Sequence, residues 1–563
     1  MARPFPIREV PRQLVAVLAL AAAAQLATAL ASAAASAASA APQPPRLIMS
    51  ILVDDLGFND LGFTDSGVRT PNLDRLRAEG VLLSSLYVQP ICTPTRSAFL
   101  TSRLPLALGL QGKMTVQQGQ AWGLDVDEQT FVSALVARNW STHMVGKAHI
   151  GGDRWRRSPT FRGFSSFMGY LYGAEDYYSH MLGAGLDLRN DTAPQCGPGC
   201  SQTIGRANNG TYSPYIFASE VERLVARAGA DPGRRSTYIH FTPQSVHAPN
   251  EAPAHFVQPY VGKFGPNNTV RAIHAGALAA LDEAIGNISA AIAAAGLADE
   301  TLILLSADNG GPLGPVGDGT MASNYPLRGG KHSLFQGGVL ATAFAWGPTW
   351  LGTGAGRTWA GLAHVVDLGA TILDAAGVPP LPPLPGRPVH GVSFWPQLVA
   401  GAPASAREDV VVNIDYTEPS QAAIVRADGW KLLLGSAGGA PDCACTYWSA
   451  QRTGLPESPQ PGGAGAGAGS GADKGALGGP SDEGAAPPSL WPLSNMTAML
   501  YNLTNDPREL HDLAAANPTI VAALTARLAA WGAGAVPVVE NATIDPASDP
   551  RRFNGSWTPW LGM

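Results

Sequence analysis

Cys92 opens the run Cys92-Thr93-Pro94-Thr95-Arg96-Ser97-Ala98-Phe99-Leu100-Thr101-Ser102-Arg103 and is the odd one of five cysteines. The other four, Cys196, Cys200, Cys443 and Cys445, can pair among themselves. An odd thiol in a secreted chain points to an intermolecular bridge or to a reactive group. A second set of residues offers only oxygen. Asp54-Asp55 and Asp308-Asn309 supply three carboxylates and one amide. Such donors suit a hard cation, Ca2+ or Mg2+, and not zinc, which prefers histidine and cysteine.

The elements that must position these groups are short apolar runs. Arg46–Val53 stops abruptly at Asp54-Asp55, Tyr238–Phe241 leads to Gln244-Ser245-Val246-His247, and Thr301–Leu305 leads to Asp308-Asn309-Gly310. Runs of this length fit buried strands of a parallel sheet. Helical patterns lie between them, as in 130–138 and the Ala-rich 270–295. The alternation predicts an α/β fold with a large, mostly parallel sheet flanked by helices. In such folds ligands bind beyond the carboxyl ends of the strands. Asp54, Asp55, His247, Asp308 and Asn309 then converge on one rim.

After a helical pattern at 362–376 and a Pro-rich connector at 379–388, short separated runs at 410–414, 423–425 and 430–434 predict an antiparallel sheet, with a late helix at 517–531. The expected organisation is a catalytic domain over 42–405 and a smaller C-terminal α+β domain over 406–563. The latter carries a Gly/Ala/Ser/Pro-rich surface loop at about 461–488. Residues 1–41 read as a leader: Arg3, Arg8 and Arg12 precede an apolar run from Leu14 to about Leu30, then Ala-x-Ala-type cleavage options. Its length leaves cleaved signal and uncleaved anchor both open. No other apolar stretch is long enough to cross a bilayer, so no membrane span is expected once the leader is removed.

Nine Asn-x-Ser/Thr sequons, at Asn139, Asn190, Asn209, Asn267, Asn287, Asn495, Asn502, Asn541 and Asn554, agree with a secretory route. Asn139, inside an apparent catalytic segment, is the one expected to go unused. A Cys196–Cys200 bridge is feasible across a Gly-Pro-Gly turn and Cys443–Cys445 would be strained, so the pairing stays open. Hydrophobic content of 45% and charged content of 14% fit a globular chain. A formal charge of −6 without a Lys/Arg run gives nucleic-acid binding no support.

The Cys92-Thr93-Pro94-Thr95-Arg96 run with Leu100-Thr101-Ser102-Arg103 resembles the Cys-x-Pro-x-Arg signature of the type I sulfatases. In that family the cysteine is oxidised to formylglycine by a formylglycine-generating enzyme in the secretory pathway. Further segments resemble the same family. They are Asp54-Asp55-Leu56-Gly57-Phe58-Asn59-Asp60, Gly146-Lys147-Ala148-His149, Gln244–Pro249, Asp308-Asn309-Gly310-Gly311 and Tyr325–Lys331. The stretches Glu175–His180, Asn324–Gly329 and Leu500–Pro507 are similar to the N-acetylgalactosamine 4-sulfatase branch, that of arylsulfatase B. Departures occur at Asn139 and Ala148, where glycine and a bulky aromatic are usual. A Glu-Gly-Gly-x-Arg element also appears here as Gln336-Gly337-Gly338-Val339-Leu340.

The resemblance implies hydrolysis of sulfate esters of carbohydrates or small aryl compounds, in an extracellular or lysosome-like compartment. It implies one Ca2+ held by Asp54, Asp55, Asp308, Asn309 and the residue formed from Cys92. A thiol at position 92 would form a thiosulfate ester with no easy exit. An aldehyde hydrate has two hydroxyls on one carbon, one to attack sulfur and one whose deprotonation expels sulfate. Arg96, Lys147 and Lys331 would dock the anionic ester; His149 would be the base, and His247 with Lys331 would protonate the departing alcohol. Two other readings compete: a phosphoesterase or phosphonate hydrolase of the wider alkaline-phosphatase-like superfamily, and a secreted sulfated-glycan binder without catalysis.

Overall fold

Three buried, mostly apolar stretches form the middle of the molecule. Leu47–Val53, Thr237–Thr242 and Thr301–Ala307 are buried along their whole length and pair in parallel, with Leu47–Val53 between the other two. Strands covered on both faces have no polar face to show, which is why these runs do not alternate. Ser141–Lys147 and Ser166–Tyr170 continue the parallel block on one side. The computed structural model describes residues 43–265, 268–314, 319–352, 356–417, 419–438, 493 and 496–563. The leader, the loop at 461–488, Cys443, Cys445 and the sequons at Asn267 and Asn495 lie outside the described residues.

The parallel block is the centre of a ten-stranded sheet whose flanks turn antiparallel. On one flank Ala343–Trp346 runs against Thr301–Ala307, then Val81–Leu83 against Ala343–Trp346, with Arg357–Trp359 at the edge. On the other, Arg189–Asp191 and Gln202–Thr203 close the sheet. Register matters more than strand count. Ile51 lies opposite both Phe241 and Leu305, and Thr242 opposite Gly146. The carboxyl ends are therefore level, and the segments that follow them emerge at one rim.

Helices flank the sheet. Cys92–Thr101 is buried at every position, packs against Val365–Ala375, and stacks Phe99 on His240 of a central strand at 4.7 Å. Ser213–Ala230 and Pro71–Glu79 pack against the long helix Thr269–Ala294. That last helix is long and apolar enough to cross a membrane, which the sequence reading did not anticipate. Half of its apolar window is buried, so its apolar face belongs to the core.

The second sheet is antiparallel, in the order Asp409–Asp415, Gln421–Arg426, Trp430–Gly435, Ala498–Asn502, and is covered by Pro518–Gly532. Gln89, three residues before Cys92, ties this sheet to the segment leading into the Cys92 helix by donating from Nε2 to the Val412 carbonyl at 2.6 Å. A disulfide joins Cys196 to Cys200, and Cys92 is a buried free thiol.

Asn139 is exposed in a turn with φ +64°, at the opposite end of its strand from Lys147. Asparagine tolerates the left-handed backbone that favours glycine, so this departure lies away from the rim. Gln336 departs from the family pattern inside a buried polar cluster. Lys431 Nζ lies 2.8 Å from Glu509 and 3.2 Å from Gln336 Oε1, and Glu509 accepts the Gln336 N–H at 2.6 Å. Lys431 and Glu509 are fully buried, and burial pushes each toward its neutral form while the partner's charge opposes it. Removing one partner strands the other. Lys431→Met is expected to destabilise the fold by about 3 kcal/mol in denaturant titration. Lys431→Met with Glu509→Leu should recover much of that loss.

Candidate active site

Most of the site residues come from the end of a strand or from a helix start, while His247 and Lys331 lie in loops. Asp54 and Asp55 follow Leu47–Val53, Lys147 ends Ser141–Lys147, and Asp308 and Asn309 follow Thr301–Ala307. Cys92 begins its helix, and Arg96 lies one turn further on. Gly146, before Lys147, has φ +109°, and a Cβ there would lie 1.9 Å from the Thr242 carbonyl oxygen. Only glycine allows that approach.

The charges form one buried network. Arg96 Nη2 lies 2.7 Å from Asp308 Oδ2 and 3.4 Å from Asp54 Oδ1, while Nη1 donates to the Lys147 carbonyl at 3.1 Å. Lys147 Nζ is 2.7 Å from Asp54 Oδ2, and Lys331 Nζ is 2.9 Å from Asp55 Oδ2. Three carboxylates meet three cations, none more than 2% exposed. Burial pushes the Asp54 carboxyl up, but Lys147, His247 and Arg96 outweigh it and hold the group below its ordinary value. Asp308 is pushed up by burial and by the negative charge of Asp54. Cys92 Sγ lies 3.7 Å from Asp54 Oδ1, and burial raises its pKa far above that of an ordinary thiol. As encoded, position 92 is a protonated thiol and a poor nucleophile.

The two histidines differ. His247 Nδ1 is 2.6 Å from the Ala248 carbonyl, and His149 Nε2 is 2.9 Å from the Val116 carbonyl. A carbonyl oxygen only accepts, so each of those nitrogens carries the hydrogen. His247 therefore directs its Nε2 lone pair at Lys331 Nζ, 3.2 Å away. His149 keeps Nδ1 buried with no hydrogen-bond partner among the described residues. Burial, with Lys147 as the next cause, lowers both pKa values, that of His149 strongly, so both rings are neutral at neutral pH.

Ligand atoms of Asp54, Asp55, Cys92 and His247 lie within 4.8 Å of one another. Asn309 adjoins this group, its Nδ2 donating to Asp55 Oδ1 at 2.7 Å, and its Oδ1 is buried without a hydrogen-bond partner. An orphaned buried oxygen beside carboxylates is what a hard cation would satisfy, so the donor set fits such an ion. Asp308 is the least available donor, since its oxygens already accept from Arg96 and from the Asp55 N–H at 3.1 Å.

Every residue expected from sequence thus gathers at this rim, with His149 one step out from the ion pairs. The sequence reading did not single out the supports. Thr95 Oγ1 donates to the Asp308 carbonyl at 2.6 Å, Thr93 Oγ1 accepts the Val116 N–H at 3.2 Å, and the Tyr177 hydroxyl reaches the His247 carbonyl at 2.9 Å. Thr93 and Thr95 lie inside the Cys92 run, but a threonine in a helix carries no distinctive spacing.

Residues 46–378 match the Sulfatase family. The chain belongs to the sulfatase family. It is 32% identical over 548 residues to arylsulfatase J of Mus musculus, covering 92% of this chain and 80% of the relative. It is 29% identical over 390 residues to arylsulfatase A of Homo sapiens, covering 67% of this chain and 72% of the relative. The fold is similar to the crystal structure of Ps i-CgsB in complex with k-i-k-neocarrahexaose, with TM-score 0.67 and 22% identity over 91% of this chain and 99% of that one. This sulfatase is a sulfuric ester hydrolase, and neither the phosphoesterase reading nor the binder reading is retained.

In this sulfatase a Cβ at Gly173 would lie 3.0 Å from His149 Cε1 and 3.1 Å from Nε2. Gly173→Ala should displace the ring by a few tenths of an ångström and lower kcat/KM on an aryl sulfate by up to about tenfold, less than the hundredfold scale of a full ångström misplacement. Its Tm should fall by only a few degrees.

Proposed function

We propose that this sulfatase uses formylglycine made from Cys92, with a bound calcium ion, to hydrolyse sulfate esters of carbohydrates. N-acetylgalactosamine 4-sulfate groups are the first substrates to try. The observation that carries the reading is the charge-matched network around Cys92 at the start of a buried helix. An anionic ester in water is well solvated, and a buried site must replace that solvation with fixed positive charge. Arg96, Lys147 and Lys331 supply it, and the helix N-terminus adds its partial charge.

Asp54, Asp55, Asn309 and Asp308, with the oxygen of residue 92, would hold the calcium ion, which as a Lewis acid supplies further positive charge toward the sulfate oxygens. Formylglycine, when formed, supplies a hydrated aldehyde whose hydroxyl replaces the thiol as nucleophile. Arg96 orients residue 92 from one helical turn away. Lys147 Nζ, on Asp54 Oδ2, is placed to bind both residue 92 and a sulfate oxygen. His149 Nδ1, neutral and without a hydrogen-bond partner, is the atom to take a proton when sulfate is expelled. His247 Nε2, whose lone pair faces the Lys331 ammonium, is the atom to take a proton from that ammonium and pass it to the departing oxygen.

The N-terminal leader and the sequons support a secretory route, with the maturation enzyme met there. Residues 42–405 form the proposed catalytic domain and 406–563 the C-terminal one. The substrates named for similar proteins vary. N-acetylgalactosamine-6-sulfatase of Rattus norvegicus is 28% identical over 64% of this chain and 67% of its own, and a structural neighbour holds D-glucosamine-2-N,6-O-disulfate. A sugar with a sulfate at position 6 is named in both, while the sugar itself differs.

The test begins with the tryptic peptide Ala78–Arg96 of protein from its native secretory pathway. Its mass should show formylglycine at position 92, whereas unmodified cysteine there would overturn the proposed nucleophile. In converted protein, Lys147→Met should lower kcat/KM by at least about a hundredfold, the scale of losing one preorganised electrostatic partner. Chelation should abolish turnover, and calcium but not zinc should restore it.

A further inference from the structure

Tyr177 is 1% exposed, and its ring stacks on Tyr212 with centroids 5.3 Å apart. Its hydroxyl lies 2.9 Å from the His247 carbonyl and 3.2 Å from the Gln244 carbonyl. Both partners only accept, so one hydroxyl hydrogen is shared between them. Burial raises the phenol pKa well above its ordinary value, so the hydrogen stays on.

The backbone it grips is the turn that carries His247. His247 N–H donates to the Gln244 carbonyl at 3.0 Å, and Val246 N–H donates to the Asp54 carbonyl at 2.9 Å. The Gln244 side chain is held in turn by Ser213 Oγ and by the Glu175 carbonyl. The sheet rim thus fixes one side of the turn and Tyr177 the other. His247 Nδ1 is committed to the neighbouring Ala248 carbonyl, so the imidazole has little freedom apart from this backbone.

We propose that Tyr177 is a positioning residue that sets the aim of His247 Nε2 at the leaving-group oxygen. The proposal rests on the sulfate-ester reading with His247 as proton donor. When the S–O ester bond breaks, its electron pair goes to the departing oxygen. The proton that Nε2 relays from the Lys331 ammonium matters in proportion to that oxygen's basicity: a nitrophenolate leaves well without it, and a basic phenolate or sugar alkoxide does not. A misaimed His247 therefore leaves a signature in the leaving-group dependence, which a general loss of stability would not.

The experiment uses full-length, formylglycine-bearing protein and a series of aryl sulfates from 4-nitrophenyl to phenyl to 4-methoxyphenyl sulfate. Tyr177→Phe keeps the stacked ring and removes only the hydroxyl. Its kcat/KM is expected to fall about tenfold or more on the methoxy ester, part of the 10²–10⁴ that general acid catalysis contributes, and by a much smaller factor on the nitro ester. In a His247→Ala background the same substitution should cost nothing further on the methoxy ester, because the two act as one unit. Equal losses across the series, or losses that add to those of His247→Ala, would overturn the proposal while leaving the hydrolase reading intact. A converted wild-type protein that cleaves no sulfate ester would overturn both.

Discussion

Arg96 is the residue on which the arrangement turns. One guanidinium lies against Asp308 and Asp54, which end neighbouring strands, and against the carbonyl of Lys147 at the end of a third. Buried carboxylates are costly unless paired, and here their positive partners come from other parts of the chain: a helix start for Arg96, a strand end for Lys147 and a loop for Lys331. The level strand register and the docking of Cys92–Thr101 are therefore conditions for charge balance as well as for packing. A helix displaced by one residue would leave Asp54 and Asp308 without Arg96. The ion pairs report where the cationic helix must lie, and the apolar core supplies the free energy that keeps it there.

Much of this was legible in the sequence, for a physical reason. Apolar runs that end in acids mark buried strands with a polar rim, and Leu47–Val53 and Thr301–Ala307 both have that form. What the sequence did not show is equally instructive. Val81–Leu83 and Ala343–Trp346 are short, and their antiparallel pairing joins segments far apart along the chain. The antiparallel flanks were for that reason hidden. The helix Thr269–Ala294 has an apolar face that a linear reading cannot tell from a membrane-facing one until Ser213–Ala230 and Pro71–Glu79 are seen packed against it. Val116 supports His149 through a carbonyl oxygen, a group every residue possesses and no side-chain pattern reveals.

The departures from the family pattern separate by location. Asn139 lies at the far end of its strand, where backbone conformation is the constraint. Gln336 lies in the Lys431–Glu509 cluster, where the neutral amide accepts from Lys431 through Oε1 while its backbone N–H reaches Glu509. Neither residue has a hydrogen bond to Arg96, Lys147, Lys331 or the carboxylates among the described residues. A motif can lose charge in a supporting element while the reacting geometry keeps its own.

The division of labour between carboxylate oxygens follows from the same geometry. Asp54 gives Oδ2 to Lys147 and leaves Oδ1 facing Cys92 and Arg96; Asp55 gives Oδ2 to Lys331 and leaves Oδ1 facing Asn309. Each acid thus has one oxygen engaged with a lysine and another directed toward the proposed cation site. A cation bound among the inward oxygens would therefore not compete with the lysines for the same atoms, and those ammoniums would stay available to an incoming sulfate. If either lysine took both oxygens of its partner, the cation would lose a donor. If either withdrew, the site would carry more negative charge than an anionic ester tolerates. The one-oxygen-each pattern would let a buried site hold a divalent cation and still attract an anion.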